Sequence, residues 1–97
     1  MTRGTDEATV RRHVIFHGHV QGVCFRAVSL ELSRGFQVMG YVRNLPDGTV
    51  ELEAEGVQDQ VDDLLAAIER EFAANLRDVE KRSIPTRGDE DAFRITY

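Results

Sequence analysis

The chain has 97 residues, 41% of them hydrophobic, and a formal net charge of −5 at pH 7. This size and composition suit one domain with a single modest core, and the acidic charge argues against a nucleic-acid binder with a broad basic surface. No apolar run is long enough to span a membrane, residues 1–12 lack the apolar centre of a signal peptide, and the single cysteine excludes an intramolecular disulfide.

These features predict a cytoplasmic, monomeric protein whose partners include neither nucleic acid nor a membrane. Residues 1–10 are polar and show no periodicity, so we expect a flexible tail there and one folded domain over residues 11–97. The first strand is predicted over residues 12–20, where a β-prone apolar run ends between Gly18 and Gly22.

The first helix is predicted over residues 23–34, where apolar residues recur every three or four positions. Gly35 follows directly, at the position where a helix often ends with a glycine in the left-handed conformation. The spacing predicts that the helix packs on the core with Phe25, Val28 and Leu32.

A β-hairpin is predicted next, with strands over residues 36–44 and 49–55. The sequence between them, Leu45-Pro46-Asp47-Gly48, suits a tight turn because proline presets φ and glycine accepts a positive φ. The second of these strands alternates strictly. The alternation places Val50, Leu52 and Ala54 inward and Thr49, Glu51, Glu53 and Glu55 toward water.

The second helix follows the hairpin and is predicted from apolar residues spaced three and four apart. Those residues are Val57, Val61, Leu64, Leu65, Ile68 and Phe72. Residues 78–84 and 93–97 are further strand candidates, and the acidic segment Asp89-Glu90-Asp91 suits a solvated loop. The order predicts an α+β, ferredoxin-like β-α-β-β-α-β sandwich, with two helices on one face of an antiparallel sheet and a possible short extra strand.

Two glycines and an arginine lie where the first strand gives way to the first helix, a pattern that suits an anion site. Gly18 and Gly22 let backbone N–H groups converge, the helix N-terminus adds its positive end, and Arg26 adds a permanent cation with a planar fork of donors. Three further arginines are either solvated surface charges or contributors to the same positive field. They are Arg11, Arg12 and Arg43.

Asn44 is the second candidate, because strand one and strand two are expected to pack close together in the sheet and so bring it near Arg26. The guanidinium can grip a phosphoryl group bidentately, and the amide can orient a water molecule toward phosphorus. Asn44 alone would also suit the start of the Pro-Asp-Gly turn.

Both regions resemble signatures of the acylphosphatase family. The first is Gly18-His19-Val20-Gln21-Gly22-Val23-Cys24-Phe25-Arg26, and the second is Gly40-Tyr41-Val42-Arg43-Asn44 with Asp47-Gly48-Thr49-Val50-Glu51. The resemblance extends over residues 12–97 and implies a hydrolase that converts an acyl phosphate to a carboxylate and inorganic phosphate without a metal or other cofactor. It implies that Arg26 and the loop His19, Val20, Gln21, Gly22, Val23 and Cys24 bind the phosphoryl group, and that Asn44 positions the nucleophilic water.

Three positions depart from the family's pattern. Gln37 replaces a common glycine, Tyr41 replaces a frequent tryptophan, and Asn75-Leu76-Arg77 lacks a Gly-Pro pair. They concern packing and a distant loop rather than the candidate site.

Cys24 and the pair His17 and His19 are alternative reactive groups. A thiolate phosphatase needs several residues between its cysteine and arginine to wrap the phosphate, whereas only Phe25 separates Cys24 from Arg26. We therefore expect a buried or partly buried, non-catalytic thiol. A His-x-His pair on one strand face can bind a metal only if a third ligand converges, and the sequence offers none nearby, so paired surface histidines are expected.

Two other functions remain open from the residues alone. A regulatory module could hold a phosphate-bearing ligand in the same loop without hydrolysing it, although Asn44 speaks against that hypothesis. An RNA-recognition module of the same topology needs exposed aromatics on its central strands, where Tyr41 is a candidate but the neighbouring strand is acidic.

Overall fold

The computed structural model describes residues 8–97. The elements in chain order are β1 (Thr9–Gly18), α1 (Phe25–Ser33), β2 (Val38–Asn44), β3 (Val50–Val57), α2 (Gln58–Glu71), β4 (Leu76–Ile84) and β5 (Phe93–Ile95). The predicted α+β order is confirmed, with β5 as the extra strand. Most of the predicted tail lies outside the described residues, and β1 begins at Thr9, three residues earlier than predicted. Within the described part, no helix is long and apolar enough to cross a membrane.

The sheet has the strand order β4-β1-β3-β2-β5. The first four strands pair antiparallel as the ferredoxin-like prediction requires, but β5 runs parallel to β2, so the sheet is mixed rather than wholly antiparallel. The expectation that the first two strands lie close together is wrong, because β3 lies between β1 and β2. β3 pairs with β2 in the hairpin on one side and with β1 on its other side.

The core lies between the sheet and the two helices. The inward residues of β3 are fully buried, as predicted, and α2 buries Val61, Leu64, Leu65 and Ile68. Phe25 at the start of α1 lies between Phe16 of β1 and Phe72 after α2, with ring centroids 4.9 and 4.4 Å away. Burying each such ring contributes about 1.5–3 kcal/mol, so this aromatic cluster fixes the end of the molecule where β1 passes into α1.

Helix α1 faces the core differently from its predicted orientation. Its buried residues are Phe25, Ser29 and Ser33, spaced four apart, while Val28 and Leu32 are only partly buried at the edge of the core. Serine side chains are small, so neighbouring elements can pack closely over them. The spacing of apolar residues alone does not predict this burial. The prediction of a left-handed Gly35 is also wrong, because its φ is not positive. Arg34, which follows the last helical residue Ser33, is right-handed, and the Gly35 N–H donates to Leu32 O.

The face of the sheet opposite the helices is less solvated than predicted. Thr49 and Glu55 are buried, at 8% and 3% exposure, whereas both were expected to face water. Segment 85–91 covers Glu55, whose carboxylate accepts hydrogen bonds from the N–H groups of Arg87 and Gly88. Glu90, predicted to lie in a solvated loop, forms an ion pair with the buried Arg11. We call this surface the open face, since no helix within residues 8–97 covers it.

Candidate active site

The loop between β1 and α1 begins at Gly18, where the backbone passes close to the backbone of residues 75–77. Gly18 has φ 130°, and a Cβ on it would lie 2.3 Å from the Asn75 carbonyl oxygen and 2.7 Å from the Arg77 nitrogen. The next residue, His19, donates its N–H to the same Asn75 oxygen at 2.8 Å. This glycine therefore permits a close approach to the connection between α2 and β4, and the loop begins from a fixed point.

Gly22 and Cys24, further along this loop, both have a left-handed backbone conformation. Gly22 has φ 81° with nothing within 4 Å of its Cβ position, so glycine is required there for conformation rather than for space. Cys24 precedes α1 with φ 61° and ψ 28°. Turns of this kind can direct successive N–H groups into one concavity, and the adjoining helix N-terminus adds positive potential.

The thiol of Cys24 is exposed, which corrects the expectation of a buried or partly buried group. The left-handed backbone at this position turns Cys24 out of the core that the next residue, Phe25, enters. The thiol lines the pocket described below, and its exposure alone assigns it no chemical role.

A pocket of about 390 Å³ lies over this loop, and Arg26 and Asn44 both line it. The other pocket residues that bear on the site are Gly22, Cys24, Ile95 and Tyr97. Arg26 comes from the first turn of α1, Asn44 ends β2, and the last two come from β5 and the chain beyond it. The fold thus brings together the two side chains that the sequence singled out, although they belong to elements separated by β3.

Arg26 is half-buried, and within residues 8–97 no carboxylate forms an ion pair with it. Its guanidinium carbon lies 4.9 Å from the centroid of the Tyr97 ring, a cation–π contact. Among the described residues, the pocket lining contains no aspartate, glutamate or histidine side chain. The result is a small site with one uncompensated cation, which suits an anionic ligand.

The other three arginines do not line this pocket. Arg11, predicted to be solvated or near the anion, is buried at 1% exposure among Glu53, Glu55 and Glu90. Arg12 lies 3.5 Å from Asp62 of α2. Arg43 pairs with Glu51 at 2.7 Å on the open face, where this contact raises the pKa of Arg43. The local positive field at the pocket therefore comes from Arg26 and the helix N-terminus.

Gln21 connects the loop to the hairpin, a role that the sequence analysis missed. Its side-chain N–H₂ donates to the carbonyl oxygens of Leu45 at 2.8 Å and Thr49 at 2.9 Å. These two carbonyls flank the turn after Asn44. Because β1 and β2 are not neighbours, this amide supplies a direct link between the arginine side and the asparagine side of the pocket.

The turn itself is rigid in the way its sequence predicts. Asp47 accepts hydrogen bonds from the Thr49 hydroxyl at 2.6 Å and the Thr49 N–H at 3.0 Å, and these bonds lower the pKa of Asp47. Gly48 has φ 92°, and the Leu45 N–H donates to the Thr49 carbonyl at 2.9 Å. Asn44 therefore ends its strand immediately before a well-fixed turn.

The remaining residues of the predicted loop have different environments. Val20 is buried at 1% exposure, Val23 packs partly against the core, and His19 is exposed. The two histidines do not share one strand, since His17 lies in β1 and His19 follows the last residue of β1, Gly18. His17 is close to Asp78 and Glu80 of β4, so the expectation that no further metal-ligating side chain lies near it is wrong. These carboxylates belong to β4, and the sequence analysis did not predict that β4 pairs with β1.

Comparison with known proteins agrees with this geometry. A family model described as Acylphosphatase matches residues 12–95. The acylphosphatase of Chlorobaculum tepidum is 48% identical over 58 residues, which are 60% of this chain and 63% of that relative. The acylphosphatase of Anaeromyxobacter sp. (strain Fw109-5) is 39% identical over 88 residues, which are 90% of this chain and 95% of that relative.

A solved structure has the same fold over its whole length. The structure of an acylphosphatase from Coxiella burnetii matches with a TM-score of 0.81 at 29% identity, covering 99% of this chain and 100% of that one. The family match spans both segments whose sequence resembles the acylphosphatase signatures, so that resemblance is confirmed. The chain belongs to the acylphosphatase family of hydrolases, which act on small acyl phosphates.

Proposed function

We propose that this chain hydrolyses an acyl phosphate with Arg26 and the loop backbone holding the phosphoryl group and Asn44 directing the attacking water. The observation that carries the proposal is the shared pocket: Arg26 and Asn44 line one cavity although they come from α1 and β2. The loop residues His19, Val20, Gln21, Gly22, Val23 and Cys24 contribute mainly through their N–H groups.

The chemistry requires little beyond positioning and charge. An acyl phosphate has a carboxylate leaving group, so the bond to phosphorus breaks without strong acid catalysis. The guanidinium fork and the N–H groups stabilise charge on the phosphoryl oxygens as that bond lengthens. The Asn44 side-chain oxygen accepts a hydrogen bond from water and holds it in line with the bond that breaks.

Hydrolysis then yields a carboxylate and inorganic phosphate, and the water's proton is released with the products. The proposed route gives no role to a metal or other cofactor. Cys24 is likewise assigned no covalent step, because its separation from Arg26 by one residue leaves no loop to wrap a phosphate bound to sulfur. Its proposed contribution is its backbone.

The test is phosphate release from benzoyl phosphate and acetyl phosphate by metal-free protein. Arg26→Ala should abolish both binding and turnover, whereas Asn44→Ala should retain affinity for inorganic phosphate while kcat falls by a factor of about 100 or more. Undiminished turnover by Arg26→Ala would contradict the proposal. Equal loss of affinity and turnover in Asn44→Ala would contradict the role given to Asn44.

Matched controls come from the same chain. Arg34→Ala removes an exposed arginine at the other end of α1, and Asn75→Ala removes the side chain of a residue that contacts the loop through its backbone. Both should retain turnover. Cys24→Ser should also retain it, since only the backbone is assigned a function there.

The same experiment tests the alternative of a module that binds phosphate without hydrolysing it. Protection of the protein by phosphate against thermal unfolding, with no release from any acyl phosphate, would favour that module. The RNA-binding hypothesis is less favoured, because the Tyr41 hydroxyl lies within hydrogen-bond distance of the Glu51 and Glu53 carboxylates on an acidic surface. The monomeric state, the cytoplasmic location and the absence of nucleic-acid or membrane partners stay predictions.

A further inference from the structure

A second cluster of chemically active side chains lies on the open face, away from the phosphate pocket. It joins three neighbouring strands: His13 of β1, Glu51 and Glu53 of β3, and Tyr41 of β2. His13 Nε2 lies 2.8 Å from Glu51 Oε2, and one ligand atom from each of His13, Glu51 and Glu53 lies within 4.8 Å of the others. The Tyr41 hydroxyl is 3.0 Å from Glu53 Oε2.

Each carboxylate of the cluster is oriented by an arginine that contacts the other oxygen. Arg43 Nε donates to Glu51 Oε1 at 2.7 Å, and Arg11 Nε donates to Glu53 Oε1 at 2.6 Å. Oε2 is the oxygen that contacts His13 in Glu51 and Tyr41 in Glu53. Such outer contacts hold ligands in place before an ion arrives, which reduces the entropy lost on binding.

Burial also favours a prearranged site. The side chains of His13, Glu51 and Glu53 are 14%, 13% and 16% exposed, so they are restrained but reachable. Paired strands set their spacing, because His13 and Tyr41 are both direct partners of Glu53 across the sheet.

The carboxylates around the cluster outnumber the two arginines that contact them, so the local charge favours a cation. Arg11 and Arg43, the arginines that contact these carboxylates, face four of them in total: Glu51, Glu53, Glu55 and Glu90. Arg87 Nη1 lies 3.6 Å from Glu90 Oε2, so it compensates the charge of Glu90 only partly.

His13 of the cluster lines a cavity of about 310 Å³ beside β4. Arg82, the direct partner of His13 on β4, is exposed and lines the same cavity. Its charge opposes the entry of a cation, so it limits affinity without blocking the ligands.

We propose that His13, Glu51 and Glu53 bind a first-row divalent cation, with Zn²⁺ as the reference ion. One imidazole nitrogen with carboxylate oxygens is a ligand set that such ions accept, and water can complete it. Binding uses the lone pair of His13 Nε2, so the ion replaces the contact between His13 and Glu51.

The test is titration of metal-free, tag-free protein with Zn²⁺ by calorimetry, together with Co²⁺ titration followed by visible absorption. We expect one saturable site with a ligand-field spectrum of low coordination number and a rise in the thermal unfolding midpoint. His13→Gln should weaken affinity by a factor of about ten or more, and so should Glu51→Gln. Arg82→Ala should strengthen it.

His17 offers the matched control. With Asp78 and Glu80 it forms a similar group, but Glu80's side chain is 64% exposed, so it lacks the restraint of the first cluster. His17→Gln should leave the site unchanged. Absence of saturable binding, or binding lost with His17→Gln and retained with His13→Gln, would overturn the proposal. Folding of each variant is checked by circular dichroism without metal, and Arg82→Ala provides a test that does not remove a ligand.

Discussion

The smallest feature that holds the candidate active site together is the side chain of Gln21. Its two hydrogen bonds cross from the phosphate loop to the carbonyls on either side of the turn after Asn44. Both acceptors are main-chain carbonyl oxygens. They stay in place when the side chain at position 21 is replaced, but each loses the hydrogen bond from Gln21. Alignment of Arg26 with Asn44 therefore depends on a residue that performs no chemistry itself.

Gln21→Ala should lower kcat/KM by a factor of about ten to one hundred, because a misplaced reacting group loses much of the advantage of orientation. It should also lower the free energy of unfolding by about 1–3 kcal/mol, because partly buried carbonyls lose a donor. Kinetics with benzoyl phosphate and urea unfolding measure the two effects. Gln37→Ala, at an exposed position, is the control and should change neither quantity; unchanged kinetics in Gln21→Ala would contradict the bridging role.

At the scale of elements, segment 85–91 fixes β5 at the edge of the sheet. Arg11 of β1 contacts Glu90 in that segment as well as Glu53 and Glu55 of β3. Burial alone would lower the pKa of Arg11, but these contacts together outweigh it and raise the pKa. Strand β5 follows the segment and supplies Ile95 and then Tyr97 to the pocket. A buried ionic cluster on the open face thus positions one wall of the candidate site on the other side of the sheet.

Arg11→Met should destabilise the protein by about 3–5 kcal/mol, because it leaves buried carboxylates without their partner. Arg12→Met is the matched control on the same strand, and its loss of a partly exposed pair should cost about 0–1 kcal/mol. Urea unfolding followed by circular dichroism compares them. Equal stability of the two variants would contradict the importance of the buried cluster.

For the whole molecule, the ionic contacts predict how stability depends on pH. Glu55 has a lowered pKa: its burial alone would raise it, but hydrogen bonds from Arg87, Arg11 and Gly88 outweigh that effect. A carboxyl group with a lower pKa in the folded state binds fewer protons there than when unfolded. Its contribution is therefore complete above its ordinary pKa of 4.5 and is lost as pH falls through the folded value.

The free energy of unfolding should accordingly hold steady as pH falls toward 4.5, the ordinary glutamate value, and decline below it. Glu55→Gln should make that decline shallower, whereas Glu31→Gln, which removes an exposed ion pair on α1, should leave the profile unchanged. Urea unfolding at a series of pH values measures the slope. A stability that rises on acidification would contradict the assignment.

Local patterns were enough to predict several elements of this fold. Alternation in β3, the spacing of α2 and the Pro-Asp-Gly turn each depend on neighbours in the chain, so the sequence alone specified them. The signature residues Arg26 and Asn44 were also identified from sequence, through chemistry and resemblance. In α1 the same logic failed, because Ser29 and Ser33 are buried by the elements packed above them rather than by their own hydrophobicity.

Sequence by itself determined the kinds of elements, their order and the residue types available for phosphate chemistry. Only the tertiary structure decided that β3 separates β1 from β2, that Gln21 connects the two sides of the pocket, and that acidic residues of β3 are paired rather than solvated. The physical reason is that hydrogen bonds and ion pairs between distant residues depend on strand order and register. Those follow from packing of the whole chain, and no local period encodes them.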